Sequence, residues 1–236
     1  MVYHNIIKVG KMNISKTTLD ILSNFSGINQ SIKFSGDTIK TIAGDISLHS
    51  VQAVATAKIP ENFENQVAIY DIGSFLSLLR IYGDQNVSAE FGKNSVVLSS
   101  NDRSTTFKYC NPDIIQDVPD IKINDEDVLI NFELDQKVMN EIKKVSSALN
   151  FEGFYLKSAK GKLEIRLYDV KSISSTPEHI IKLPVAVDKD FDIYFEMKNL
   201  YILSGNYNVV VTENMLAFES KDIDLKYFIV TSNEPV

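Results

Sequence analysis

The chain has little of what marks secreted and membrane proteins. Only one of its 236 residues is cysteine and none is tryptophan. A single thiol, Cys110, cannot form an internal disulfide, so the composition favours a reducing compartment. No segment approaches the ~18 consecutive apolar residues of a membrane span. The first residues also lack the apolar core of a signal peptide. We therefore expect a soluble intracellular protein with no membrane partner.

Catalytic and metal-binding signatures are missing as well. The sequence has no G-x-G-x-x-G, P-loop or G-x-S-x-G motif. Its three histidines are dispersed along the chain, which disfavours a metal site. Asp188, Asp190 and Asp192 alternate like the start of a calcium loop, but Ile193 stands where that loop needs glycine. We predict no catalytic residue, no metal, no cofactor and no enzymatic activity.

The chain is short of positive charge, with 24 lysines and arginines against 31 acidic residues and a net charge of -7. An acidic balance usually keeps a protein soluble and, taken alone, argues against nucleic-acid binding. Any DNA-binding function must therefore come from a local concentration of basic residues.

What the sequence does have is an internal repeat. The stretch FENQVAIYDIGSFLSLLRIYGDQNV begins at Phe63, and a similar stretch, FDIYFEMKNLYILSGNYNVVV, begins at Phe191. In each, an apolar strand leads into a short helix and then into another strand. A period of ~120 residues is too long for a solenoid and indicates a duplicated domain. Chance similarity between two α+β halves is the alternative.

The helices and strands of the two halves can be placed from apolar spacing. A longer amphipathic helix precedes each repeat, with predicted core positions at Thr18, Ile21, Leu22, Phe25 and Ile28, and at Val138, Ile142, Val145 and Leu149. Each helix is followed by a strand–turn–strand pattern, at 32–43 and at 153–170. We predict an α+β fold in which each half has two helices and antiparallel sheets.

A connector separates the two halves. We predict an N-terminal domain at 1–110, a connector at 111–127 and a C-terminal domain at 128–236. The connector, NPDIIQDVPDIKINDED, has two prolines and six acidic residues, which is typical of an extended linker. Its apolar residues predict that it lies against the body of the protein.

Basic residues recur on all four predicted helices. The candidates are Lys11, Lys16, Arg80, Lys137, Lys143, Lys144 and Lys198. For any one of them, an ordinary solvated helix surface is the alternative. Asp20 and Glu141 lie outside the apolar stripes too and reduce the positive charge of these faces.

These features together resemble the DNA sliding clamps, above all those of T-even-type phages. The resemblance is carried by MNISKTTLDILSNFSGIN from Met12, QVAIYDIGSFLSLL from Gln66, the NDRSTTF strand and GNYNVVV. LKYF, from Leu225, is similar to the eukaryotic and archaeal clamps. The resemblance covers about Met12 to Val230, and Met12 is an alternative start because residues 1–11 precede the usual family start. Ser23 and Ser147 stand where the phage family tends to carry basic residues.

The resemblance implies a function. The chain would be a ring-forming, duplicated DNA-clamp domain, acting as a homotrimer in the cytoplasm of an infected bacterial host. The ring would encircle double-stranded DNA without sequence specificity, through weak phosphate contacts of the basic residues above. Its partners would be the DNA polymerase, to which it gives processivity, the clamp loader and viral transcription factors. Ser104–Tyr109 would pair with Ile180–Val187 of the next chain.

The resemblance also implies a groove for an apolar peptide of a partner protein. Its predicted residues are Ile42, Ile46, Leu48, Val118, Ile121, Phe228 and Val230. The alternative is that these side chains belong to the core.

Two other classes remain open at this stage. A hydrolase or transferase would need converging His, Asp or Ser residues, of which the sequence offers no set. A non-catalytic scaffold built from a duplicated α+β domain would share the fold but would need no basic helices.

Overall fold

A computed structural model of the chain describes residues 11–12, 14–82, 88–100, 103–169 and 178–232. Residues 83–87, which belong to the first copy of the repeat, and the first two residues of NDRSTTF lie outside the described part.

The chain forms two compact units. The first comprises Met1–Thr41 and Ala57–Asp117, and the second comprises Ile42–Thr56 and Val118–Val236. A segment from the N-terminal half therefore joins the second unit, an exchange that the sequence did not indicate.

In its described residues, the first half contains two helices and six strands. In chain order they are β1 (Lys11–Met12), α1 (Lys16–Phe25), β2 (Ile32–Ala43), β3 (Ala53–Ile69), α2 (Ile72–Tyr82), β4 (Ser88–Phe91), β5 (Ser95–Ser100) and β6 (Arg103–Lys108). Strands β1, β4, β5 and β6 form one antiparallel sheet in that order. Three phenylalanines pack edge to face in this unit, with ring centroids 5.0 Å apart for Phe34 and Phe63 and 4.8 Å apart for Phe63 and Phe91.

The second half contains one α-helix and eight strands in its described residues. They are β7 (Val128–Leu134), α3 (Gln136–Leu149), β8 (Gly153–Ala159), β9 (Lys162–Tyr168), β10 (His179–Ala186), β11 (Phe191–Glu196), β12 (Tyr207–Thr212), β13 (Met215–Ser220) and β14 (Leu225–Val230). One sheet has the order β10-β9-β8-β11, and the other has the order β2-β3-β14-β13-β12-β7.

The duplication is visible in the strand order. In the first half, four strands lie side by side in the order β1, β4, β5 and β6. In the second half, four strands lie side by side in the order β7, β12, β13 and β14, and they occupy the corresponding positions in the sequence. The prediction of a duplicated α+β fold with antiparallel sheets is therefore confirmed.

Helix α1 forms where its apolar spacing predicts. The Ser15 hydroxyl caps it by accepting from the Thr18 N–H at 3.1 Å. Thr18, Ile21, Leu22 and Phe25 are buried as predicted.

A second cap comes from β3. The Glu61 carboxylate, only 7% exposed, accepts hydrogen bonds from the Ser15 N–H and the Thr18 hydroxyl. A carboxylate is stabilising at this end of a helix, where unpaired N–H groups carry partial positive charge.

The core face of α3 differs from the prediction. Met139, Ile142 and Ser146 are buried, whereas Leu149 is 46% exposed. Successive helical residues are about 100° apart, so these three buried residues form one stripe. The predicted positions Val138 and Val145 lie at its edge and are half-buried.

The predicted fourth helix is wrong. The segment after β11 forms a single 3-10 turn, Met197–Asn199, followed by irregular chain. The backbone N–H and carbonyl of Leu203, which would form backbone hydrogen bonds in a helix, are hydrogen-bonded to side chains instead. The Leu203 N–H donates to the Tyr227 hydroxyl at 3.1 Å, and the Tyr207 hydroxyl donates to the Leu203 carbonyl at 2.5 Å.

The two predicted strand–turn–strand patterns have different outcomes. In the second half, β8 and β9 form a hairpin whose turn residues Lys160 and Gly161 both have positive φ, as a type I′ turn requires. In the first half, 32–43 is one continuous strand. Gly36, within this strand, has a φ of +66°. Ile32 and Phe34 are buried before it, and Ile39 and Thr41 are buried after it, so the buried residues change from even to odd positions. Gly36 therefore forms a bulge rather than a turn.

Between two 3-10 turns at Pro112–Ile114 and Asp125–Asp127, the connector has neither helix nor strand, and Ile115 and Asn124 have extended backbone angles. Its first part is held to β2. The Lys33 ammonium donates to the Pro112 carbonyl at 3.2 Å and lies 2.8 Å from the Asp117 carboxylate.

The Glu61 cap predicts a pH-dependent contribution to stability. Burial acts to raise the pKa of Glu61, but the hydrogen bonds from Thr18 and Ser15 outweigh it, so the pKa lies below 4.5. A lowered pKa means that the stabilisation is present above the unfolded-state value and is lost as the pH falls through the folded-state value. We expect Glu61→Gln to cost about 1 kcal/mol of unfolding free energy at pH 7.

The measurement is urea denaturation of both proteins at neutral and acid pH. The difference between Glu61→Gln and the parent should shrink once Glu61 is protonated. Glu64→Gln, an exposed position on the same strand, is the control and should cost less than about 0.5 kcal/mol. A difference for Glu61→Gln that is independent of pH would contradict the cap.

Candidate functional site

Two of the three candidate basic residues of the first unit, Lys16 and Arg80, lie on exposed helix faces. Lys16 stands on the side of α1 opposite the buried stripe and is paired with Asp20 at 2.5 Å. Ser23 is exposed on the same side, so this face carries no net charge. Arg80 is exposed in the last turn of α2, where a cation also suits the helix dipole. Lys11 lies in β1, paired in register with Glu90.

The exposed face of α3 carries two of the candidate basic residues of the second unit. Lys137 and Lys144 are seven residues apart, so they project on the same side of the helix and both are exposed. Glu141 lies between them and is bonded to His179 of β10, with its carboxylate oxygen 2.9 Å from the His179 Nε2. The carboxylate is thereby drawn toward the sheet.

Lys143 differs from the prediction. It lies at the edge of the buried stripe of α3, and its ammonium donates to the Ile202 carbonyl and, at 3.3 Å, to the Ser204 hydroxyl. Burial lowers the pKa of Lys143. Because this ammonium is engaged inside its own unit, we do not assign it to the DNA-facing set. Lys198 is exposed and paired with Glu196.

These arrangements favour weak contacts with an anion. Exposed ion pairs such as Lys16–Asp20 contribute only about 0–1 kcal/mol, so a phosphate group can displace the carboxylate at little cost. The faces can therefore bind a polyanion without holding it in one register.

The predicted partner groove falls entirely within the second unit. Its first part is the loop at 44–52, which joins β2 to β3. Asp45 organises this loop by accepting from the Ser47 N–H at 2.7 Å and the Ser47 hydroxyl at 2.6 Å, and these bonds lower the pKa of Asp45. The loop exposes Ile46 and Leu48, the latter at 73%.

The face of β14 that points away from the core supplies the second part of the predicted groove. Phe228 and Val230 are half-buried and alternate with the buried Tyr227 and Ile229. Tyr227 and Ile229 face the core, so Phe228 and Val230 share the opposite face of the sheet.

The connector supplies Val118 and Ile121, both half-buried. Ile42 does not fit the predicted groove. It is 2% exposed, so it is a core residue and offers a partner no surface.

Sequence reasoning missed two residues of this surface. In the β13–β14 register, Ala217 is opposite Phe228 and Met215 is opposite Val230. Opposed side chains of an antiparallel pair lie on the same face, so these two stand on the face that carries Phe228 and Val230; Met215 is half-buried there and Ala217 is only 8% exposed. The alternation of side chains along β13 indicates which of them share a face. The sequence alone does not show which of them lie opposite Phe228 and Val230, because that depends on the pairing of β13 with β14.

Neither a metal-binding cluster nor a membrane-spanning helix is found among the described residues. Within the residues that the structure describes, no group of His, Cys, Asp or Glu side chains could hold a metal ion. None of the helices in this part of the chain is long and apolar enough to cross a membrane.

The chain is similar in sequence to phage proteins. No family model matches it. It is 27% identical over 228 residues to the sliding clamp of Vibrio phage KVP40, covering 93% of this chain and 99% of that protein. It is 26% identical over 213 residues to the sliding clamp of Escherichia phage RB69, covering 85% of this chain and 87% of that protein.

Solved structures show the same fold. The DNA polymerase sliding clamp of Pseudomonas aeruginosa matches with a TM-score of 0.64 and 14% identity, over 94% of this chain; the chain spans 66% of that protein. The A. fulgidus PCNA, solved with a bound C-terminal region of FEN-1, matches with a TM-score of 0.64 and 13% identity, over 92% of this chain and 96% of that one. The chain therefore has the sliding-clamp fold.

The loop at 44–52 depends on Gly44. Its φ is +93°, and a Cβ added there would lie 2.0 Å from the Ser50 carbonyl oxygen. We expect Gly44→Ala to cost about 2 kcal/mol or more, because both the backbone conformation and the close approach oppose a side chain.

Urea denaturation measures this cost, and hydrogen exchange should localise the change to residues 44–52. Gly73→Ala is the control, since Gly73 lies outside the left-handed region and the nearest atom, an Asp71 carboxylate oxygen, is 3.3 Å from the added Cβ. Equal stabilities for the two variants would show that the loop does not need glycine at position 44.

Proposed function

We propose that this chain, a homologue of the sliding clamps of T4-like phages, is itself a sliding clamp of viral DNA replication. Three copies close into a ring around duplex DNA and tether the DNA polymerase, which thereby becomes processive. The chain performs no catalysis of its own. Its place of action is the cytoplasm of the infected bacterial host.

One observation carries this proposal. The sequence match to the KVP40 clamp runs over 93% of this chain and nearly all of that protein, and the fold over the same span is that of clamps. A match of this extent includes both halves and the connector rather than one shared motif.

The exposed helix faces support the DNA contact. A ring that cannot fall off needs no tight grip, and weak phosphate contacts allow it to slide. Lys16, Arg80, Lys137, Lys144 and Lys198 are the proposed contacts. Lysine suits this role because its ammonium is a mobile point charge, whereas arginine favours fixed bidentate pairs.

Two edge strands support head-to-tail assembly. Among the described residues, β6 is the last strand of its sheet and β10 is the last strand of another. Exposed strand edges call for a partner. Exposed basic residues, Arg103 and Lys108, stand at the two ends of β6, and exposed acidic residues, Glu178 and Asp188, flank β10. This complementarity supports pairing of β6 with β10 of the next chain.

The apolar surface on the second unit is the proposed docking site of partner peptides. Its residues are Ile46, Leu48, Val118, Ile121, Phe228 and Val230, extended by Met215 and Ala217. The polymerase, the clamp loader and viral transcription factors are the proposed partners. The FEN-1 segment bound to the A. fulgidus PCNA provides an example of a C-terminal region held by a protein of this fold.

The DNA contact predicts a change in salt dependence. Each phosphate contact that is lost should lower the slope of log K against log salt by roughly 0.9. We expect Lys137→Gln/Lys144→Gln to lower the slope by at least this amount, measured by fluorescence anisotropy with a short duplex over a range of salt concentrations. Lys93→Gln, which changes an exposed lysine between β4 and β5, is the control and should leave the slope unchanged. An unaltered slope in the double variant would favour the scaffold alternative.

The partner groove predicts a loss of peptide binding. Buried apolar anchors commonly cost ~2 kcal/mol or more when truncated, equivalent to roughly thirtyfold in affinity. We therefore expect Ile121→Ala and Val230→Asp each to weaken binding of a fluorescent peptide from the polymerase C-terminus by about that factor. DNA binding should be unaffected.

The matched control for the groove is Ile114→Ala. Ile114 is also a connector isoleucine, but it belongs to the first unit and is 60% exposed. Its variant should bind the peptide like the parent. If all three variants bind equally well, the groove lies elsewhere.

A further inference from the structure

The segment Met197–Gly205 stands where the repeat predicts a second helix beside α3. Its backbone is instead held by side chains from three other elements. Lys143 of α3 donates to the Ile202 carbonyl, and the hydroxyls of Tyr207 and Tyr227 bond both backbone groups of Leu203. At its start, the Met197 N–H donates to the Glu152 carbonyl at 2.9 Å. The segment is therefore fixed at both ends.

Between these anchors lies one exposed aromatic residue. Tyr201 is 49% exposed, while the Ile202 side chain next to it is buried at 1%. Tyr201 is the central residue of a three-residue turn, because the Ile202 N–H donates to the Leu200 carbonyl at 2.8 Å. Tyr201 is thus the aromatic residue that this segment presents to solvent, beside the exposed Lys198 and Ser204.

We propose that Tyr201 is an uncharged contact to the DNA backbone and that Lys143 is its positioning residue. A tyrosine hydroxyl is a suitable hydrogen-bond donor to a phosphate oxygen. Lys143 ties the Tyr201 segment to α3, the helix that carries the proposed contacts Lys137 and Lys144. This inference rests on the proposed DNA contact of α3.

The salt dependence of binding distinguishes this role from a charged contact. A neutral donor releases no counterion, so its loss weakens binding at every salt concentration without changing the slope. We expect Tyr201→Phe and Lys143→Met each to weaken duplex affinity about fivefold, which is the effect of one hydrogen bond. The slope of log K against log salt should remain that of the parent protein.

The two substitutions should not be additive. If Lys143 acts through Tyr201, Lys143→Met/Tyr201→Phe binds no more weakly than Lys143→Met alone. Lys143→Arg keeps donors within reach of the Ile202 carbonyl and should restore most of the affinity. Lys144→Met, one residue along the same helix, is the matched control and should lower the slope by roughly 0.9.

Position 201 also offers a direct reporter. The chain has no tryptophan, so Tyr201→Trp introduces a single tryptophan whose fluorescence can be excited selectively over that of the remaining tyrosines. We expect Lys143→Met to raise acrylamide quenching of this tryptophan about twofold by releasing the segment, while Lys144→Met leaves it unchanged. Should Lys143→Met fail to fold, Ser204→Ala removes one of the two acceptors and should raise quenching less.

The outcomes separate the alternatives. If Lys143→Met lowers the slope of log K against log salt by roughly 0.9, Lys143 is itself a charged contact to DNA and the proposal is overturned. Unchanged affinity in Tyr201→Phe, or additive losses in the double variant, would overturn it as well. Unaltered slopes in both Lys144→Met and Lys137→Gln would instead refute the proposed DNA surface, whereas the quenching change would still establish the positioning role.

Discussion

The structure depends on burying one stripe of each amphipathic helix. In α1, Thr18, Ile21, Leu22 and Phe25 are buried, so the opposite side of the helix, with Lys16, must be exposed. In α3 the same constraint exposes Lys137 and Lys144, because Met139, Ile142 and Ser146 are buried. The core thus determines which side chains are available to a ligand, and the proposed DNA contact follows from it.

A net charge of -7 is compatible with the proposed DNA partner because exposed basic residues stand on the helix faces, with Lys137 and Lys144 on the same side of α3. Several of them have an acidic neighbour: Lys16 pairs with Asp20, and Lys198 with Glu196. Such pairs keep the local field modest, which suits the proposed ring, since a ring must move along DNA. The proposed partner groove has the opposite chemistry, with apolar side chains on a loop, a strand and the connector.

Helix α1 and the β8–β9 hairpin could be predicted from the sequence because their signals are local: apolar spacing, a serine cap and a turn glycine. The predicted fourth helix failed because the hydroxyls of Tyr207 and Tyr227 take the backbone bonds of Leu203, and no local pattern shows these partners. The environment of Lys143 is unpredictable for a similar reason, since helical spacing does not show that the Ile202 carbonyl accepts a hydrogen bond from its ammonium. The burial of Ile42 likewise follows from tertiary packing that alternation along one strand does not specify.

The central claim is topological: the chain encircles DNA rather than gripping it. The most direct measurement is retention on a DNA circle after clamp loading, before and after the circle is cut, together with the mass of the free protein by native mass spectrometry. The account predicts a trimeric mass, retention on the closed circle at a salt concentration that abolishes simple binding, and rapid loss from the linear form. A monomeric mass, or equal retention on both forms, would contradict it.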